Sequence, residues 1–82
     1  MMKDLLLYIA KNLVAQPDAV SVTEVERETT LVFELRVAQE DMGKVIGRGG
    51  RIAKDIRTVM KTAAMKENRQ IQVEIVESRA EA

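Results

Sequence analysis

Cysteine, histidine and tryptophan are absent from these 82 residues, proline occurs once, and the aromatics are one tyrosine and one phenylalanine. Without cysteine there is no disulfide framework and no thiolate metal site. Without histidine, imidazole acid–base catalysis and the usual zinc ligation are excluded. Serine occurs only at Ser21 and Ser78, and no paired carboxylates stand near the glycines. An enzymatic constellation would have to draw on Lys, Asp or Tyr8 alone. A long apolar run is missing too. The segment "MMKDLLLYIAKNLV" is interrupted by Lys11 and Asn12 and is too short to span a bilayer. A cytoplasmic protein with no membrane insertion is expected, and a chain this short suits one small domain.

The net charge is zero, but the charge is segregated. Residues 44–69 hold eight basic side chains and two acidic ones, giving +6, and the remainder of the chain carries −6. A local basic patch attracts phosphate even when the total cancels. A solvated helix face rich in basic residues is the competing reading of the same cluster.

Apolar periodicity organises the rest. Leu5, Leu6, Ile9, Leu13 and Val14 recur at helical spacing and predict a helix over 3–15, stopped by Pro17. Residues 19–38 are rich in β-branched side chains and predict two strands. The phase slips at Val25, which predicts a bulge, and Glu28-Thr29-Thr30 is the expected turn. Leu31, Phe33, Leu35 and Val37 alternate with Glu34 and Arg36. Residues 39–47 read as a short helix with Asp41 near its start, and 51–68 as a long one stopped at Asn68. Ile71, Val73 and Ile75 mark a last strand over 70–78. The order α-β-β-α-α-β, with one apolar face per strand, predicts an α+β fold of two layers: a three-stranded sheet with helices packed on one face. Residues 1–78 are expected to form the domain and 79–82 a loose tail.

Three of the four glycines fall in "VIGRGG", residues 45–50. A phosphate loop of nucleotide hydrolases needs Gly-Lys-Ser/Thr, and Gly50 is followed by Arg51-Ile52. A dinucleotide fingerprint needs a strand before its glycines, and here a short helix precedes them. What remains is a Gly-x-x-Gly turn between two helices. Gly47 and Gly50 permit positive φ and close approach of a ligand backbone. Exposed N–H groups at the next helix start favour phosphate, and Arg48 and Arg51 add charge there. The same glycines could also serve only as a helix cap and a tight turn.

The block "VIGRGGRIAKDIR" resembles the signature of KH domains: an apolar pair, Gly-x-x-Gly, then Ile52. The element order resembles the bacterial type II arrangement. Together with "DLLLYIAKNLV" and the chain length, this is similar to the small single-KH proteins of the KhpA (YlqC) family, over essentially the whole chain. The resemblance implies a groove holding about four nucleotides of single-stranded RNA, backbone against the loop. It implies a role in RNA metabolism or as an RNA chaperone, links to cell division and envelope growth, and a larger KH-containing partner of the KhpB, Jag or EloR type. It also implies a possible homodimer. No cofactor, metal or small-molecule substrate is implied.

The candidate RNA-binding residues are Lys44, Val45, Ile46, Gly47, Arg48, Gly49, Gly50, Arg51 and Lys54. Ile46 and Ile52 read as core, groove wall or both. At 100° per residue, Ile52, Ile56, Val59 and Ala63 share one arc of the long helix. Lys54, Arg57 and Lys61 then form a basic stripe pointing away from the sheet, a solvated face first. Lys61, Lys66 and Arg69 read as bystanders or partner contacts. Met42, Met60 and Met65 read as core or interface filler, and Tyr8 as part of an association surface. A protein–protein adaptor, with dimerisation as the main use of the KH surface and RNA binding incidental, is the alternative function.

Overall fold

The computed structural model describes residues 2–78. The expectation of a loose tail over 79–82 falls outside them. Helix α1 spans Met2–Lys11, strand β1 Ser21–Arg27, β2 Thr30–Val37, helix α2 Met42–Ile46, α3 Arg51–Met65 and β3 Gln70–Glu77. One-turn 3₁₀ segments at Pro17–Ala19, Gln39–Asp41 and Arg48–Gly50 make the corners. The fold is α+β in the expected order. Among the described residues no helix is long and apolar enough to cross a membrane.

The sheet order is β1-β2-β3, with β1 antiparallel and β3 parallel to the central strand. A parallel pair needs a crossover, and α2, the glycine turn and α3 supply it. Phe33, Leu35 and Val37 on β2 are fully buried, and Leu6, Ala10, Val45, Ile56 and Met60 close over them from the helical layer. Strand β3 is left as an edge beside α3.

Four local expectations are corrected. Helix α1 stops at Lys11, not near residue 15. The Asn12 N–H reaches both Tyr8 and Ile9 carbonyls at 3.2 Å, and its side-chain amide caps the Tyr8 carbonyl at 2.8 Å. This tightening ends the helix although Leu13 and Val14 still pack on the core. Strand β1 has no bulge: its pairing runs unbroken from Ser21↔Arg36 to Arg27↔Thr30. Val25 faces the uncovered side of the sheet opposite Val32, whereas Glu24 and Glu26 take the helix-side positions at an edge where they stay exposed. The turn is Glu28-Thr29, with Glu28 at φ 48°, and Thr30 already belongs to β2. On α3 the covered face is Ala53, Ile56, Met60 and Ala64, and Val59 is 45% exposed.

Helix α3 ends at Met65, three residues before the expected end at 68, and Asn68 closes the turn that stops it. Asn68 takes φ 56°, the Arg69 N–H bonds the Ala64 carbonyl at 3.1 Å, and the Asn68 N–H bonds that of Met65 at 3.2 Å. That pair of bonds is a Schellman cap, with asparagine in the left-handed position.

Candidate nucleic-acid interface

The glycine turn is built from three residues with positive φ. Gly47 has φ 77° and ψ 173°, Gly49 φ 65° and ψ 16°, Gly50 φ 79° and ψ 13°. The three glycines answer different demands. A Cβ on Gly47 would lie 2.6 Å from Cγ1 and 2.9 Å from Cβ of Ile52. Gly47 is therefore required by close packing against the first turn of α3 as well as by its φ. A Cβ on Gly49 or Gly50 would meet nothing within 4 Å. That side of the turn is open, and Arg48 and Arg51 are exposed on either side of it. The N–H groups at the start of α3 are the positive end of a 15-residue helix.

Asp41 fixes α2 in place. It is fully buried, at 0% exposure. Its carboxylate accepts the N–H groups of Ala15 at 3.1 Å and Gln16 at 3.0 Å, and the Lys44 Nζ lies 3.2 Å from Oδ1. Burial by itself raises this carboxyl. The two backbone N–H groups and the Lys44 ammonium outweigh it and hold Asp41 below its ordinary value. The segment after α1 is thereby tied to the helix that carries the glycine turn.

The candidate residues divide accordingly. Gly47, Arg48, Gly49, Gly50 and Arg51 lie together on the turn, with Lys54 one turn into α3. Lys44 is half-exposed but already paired with Asp41. Val45 is fully buried in the core cluster, so it anchors the turn from beneath and offers no surface to a ligand. Ile46 and Ile52 are partly buried against the core, with surface left over. The ion pairs among the described residues are Arg36–Glu34, Lys44–Asp41 and Arg69–Glu26. None involves Arg48, Arg51 or Lys54.

Arg57 and Lys61 of the basic stripe on α3 do not point away from the sheet. Arg57 Nε donates to the Val73 carbonyl of β3 at 3.1 Å. Arg57 and Lys61 line a concavity of about 460 Å³ with Thr30 and Gln70 to Glu74. Taking Ile52, Ile56, Val59 and Ala63 as the covered arc, in place of Ala53, Ile56, Met60 and Ala64, turns the helical wheel by about 75°, which is enough to move this flank from the sheet to solvent. Ala53, Met60 and Ala64 at i, i+7 and i+11 are the signal that would have set it correctly. Asp41 was not foreseen as the anchor of α2, because its partners Ala15 and Gln16 are remote in sequence. Another hollow, which includes Glu40 and Glu77, presents carboxylates and, among the described residues, no cation.

Two helices joined by an open Gly-x-x-Gly turn, set between a central strand and a parallel edge strand, define a KH domain of the type II order. The chain belongs to the KhpA/KhpB family: the family model described as KhpA/KhpB, KH domain, matches residues 3–75. Its relatives include the RNA-binding protein KhpA of Clostridium acetobutylicum, 61% identical over 92% of this chain and 100% of that one. The RNA-binding protein KhpA of Chlamydia trachomatis serovar D is 45% identical over 95% and 100%. Among solved structures, Aquifex aeolicus Era bound to GDP and AlF4⁻ shares the fold with a TM-score of 0.67 at 18% identity. The match covers 93% of this chain and 29% of Era. Era in complex with MgGDPNP and nucleotides 1506–1542 of 16S ribosomal RNA gives 0.65, also at 18%.

Proposed function

We propose that residues 1–78 act as one non-catalytic KH domain that clamps single-stranded RNA against the glycine turn. The observation that carries this is the turn itself: three positive-φ glycines, an open side at Gly49 and Gly50, and Arg48 and Arg51 with no carboxylate partner among the described residues. Phosphates meet the α3 N-terminus and the two arginines, with Lys54 reaching the next phosphate. Bases lie over Ile46 and Ile52 toward β3. The names of the curated relatives support RNA as the ligand. In this reading the protein works in the cytoplasm, in RNA metabolism or as an RNA chaperone. A single groove gives little selectivity, and a KH-containing partner of the KhpB type or a second copy raises it. Tyr8 at 69% and Val59 at 45% exposure on the helical layer favour association as a second use of the domain.

The test is binding of short single-stranded RNA pools at several salt concentrations, comparing the native chain with Arg48→Asp/Gly49→Asp. Asp is among the residues that tolerate the left-handed region, and nothing lies within 4 Å of a Cβ at Gly49, so the fold is retained. Circular dichroism and sedimentation check this. The native chain is expected to bind with a salt slope of about −0.7 per phosphate contacted, and the variant to lose binding. Equal binding by the two refutes the clamp.

A further inference from the structure

Arg57 occupies an unusual position for a cation on a helix flank. Its Nε is tied to the Val73 carbonyl on the edge strand β3. That bond orients the planar guanidinium. Among the described residues neither Nη has a hydrogen-bonded protein partner, and Arg57 lines the concavity with Lys61, Thr30 and Gln70 to Glu74. Arg57 lies about 9 Å along α3 from Arg51, beyond the turn where the phosphates are held. A guanidinium fixed at one nitrogen, with both Nη groups unpaired beside a concavity, selects a partner with two adjacent acceptors.

We infer that Arg57 is the base-reading residue of this domain, selecting a base that presents two adjacent acceptor atoms. Guanine does so through O6 and N7, cytosine through O2 and N3. Adenine presents no two adjacent acceptors and is discriminated against. This rests on the RNA-clamp reading and adds to it a sequence preference and its cause. The arginines of the turn hold the backbone and carry no sequence information, and Arg57 reads the edge of the base that the strand delivers to β3.

The experiment uses uridine hexanucleotides in which one central position is U, G, C or A, titrated into the native chain, Arg57→Lys and Arg57→Gln. The native chain is expected to bind the guanine or cytosine probe at least about 5-fold more tightly than the adenine probe. The two probes together show which acceptor pair fits. In both variants the preference is expected to fall within about 2-fold. Their salt slopes stay at the native value, because no phosphate contact is lost. If Arg57→Gln weakens all probes equally and lowers the slope by about 0.7, with Arg57→Lys restoring both, Arg57 is a phosphate contact and the inference is overturned. It is overturned equally if the variants lose thermal stability yet keep the native preference, since Arg57 then only pins α3 to β3. If native binding shows no preference, or adenine is favoured, base reading by Arg57 fails while the clamp stands. Absence of binding to any probe by the native chain overturns both.

Discussion

Replacing Gly47 with alanine tests the glycine turn most sharply, because two independent penalties coincide there. At φ 77° and ψ 173° the backbone lies in a region occupied almost only by glycine, where another residue costs about 1–3 kcal/mol. The new Cβ would also sit 2.6 Å from Cγ1 and 2.9 Å from Cβ of Ile52. Ile52 can rotate Cγ1 away, but its Cβ moves only with the backbone of α3, so overpacking adds about 1–3 kcal/mol. The sum, about 2–6 kcal/mol, is a large fraction of the roughly 4–12 kcal/mol available to a chain of this size. Gly49→Ala serves as the control: its φ is also positive, but its surroundings are open, so only the left-handed penalty of about 1–2 kcal/mol applies. Urea unfolding of both variants supplies the comparison, with m-values checked against the native chain. A double-mutant cycle with Ile52→Ala isolates the contact. Gly47→Ala should cost less in the Ile52→Ala background than in the native one. If Gly47→Ala and Gly49→Ala lose the same stability, or the cycle is additive, the close approach to Ile52 is not what demands glycine at 47.

Three further outcomes are expected. Asp41 sits below its ordinary value of 3.8 in the folded chain, so on acidification the unfolded state takes up its proton first. Its stabilisation is present above that value and is lost as pH falls through the folded one. Asp41→Asn should flatten this part of the acid-unfolding profile, and amide exchange at Ala15 and Gln16 should speed up; an unchanged profile contradicts the assignment. Val45→Ala should cost about 1–3 kcal/mol in denaturant unfolding and leave RNA affinity of the folded fraction unchanged, since Val45 is core. Asn68→Ala should lower stability by about 1 kcal/mol in the same assay while Asn68→Gly does not, because the residue holds φ 56° in the cap of α3.

Much of this was legible in one dimension. Alternation in 31–37 and 71–75 reports two strands, since side chains on a strand must change face at every residue. The glycine spacing at 47–50 reports a turn, since other residues resist positive φ, and Asn68 reports the end of α3 for the same reason. The signature block locates the candidate clamp for Arg48 and Arg51. Periodicity, however, reports that a face exists and not what covers it. Glu24 and Glu26 disguise the regular phase of β1, because the helices cover Val22 near its start but leave its far end exposed. Val59 imitates a core position, and only the packing of α3 on the sheet shows that Ala53 and Met60 lie beneath instead. The parallel placement of β3 beside β2 puts an edge strand against α3, and with it the Val73 carbonyl within reach of Arg57. The partners of Asp41, at Ala15 and Gln16, come from another part of the chain, across the glycine-bearing side of the fold. Local chemistry, then, was determined by the sequence alone, because torsional and capping preferences act over a few residues. The identity of each buried or charged group's partner was decided only by the tertiary structure, because a partner's address is a distance in space.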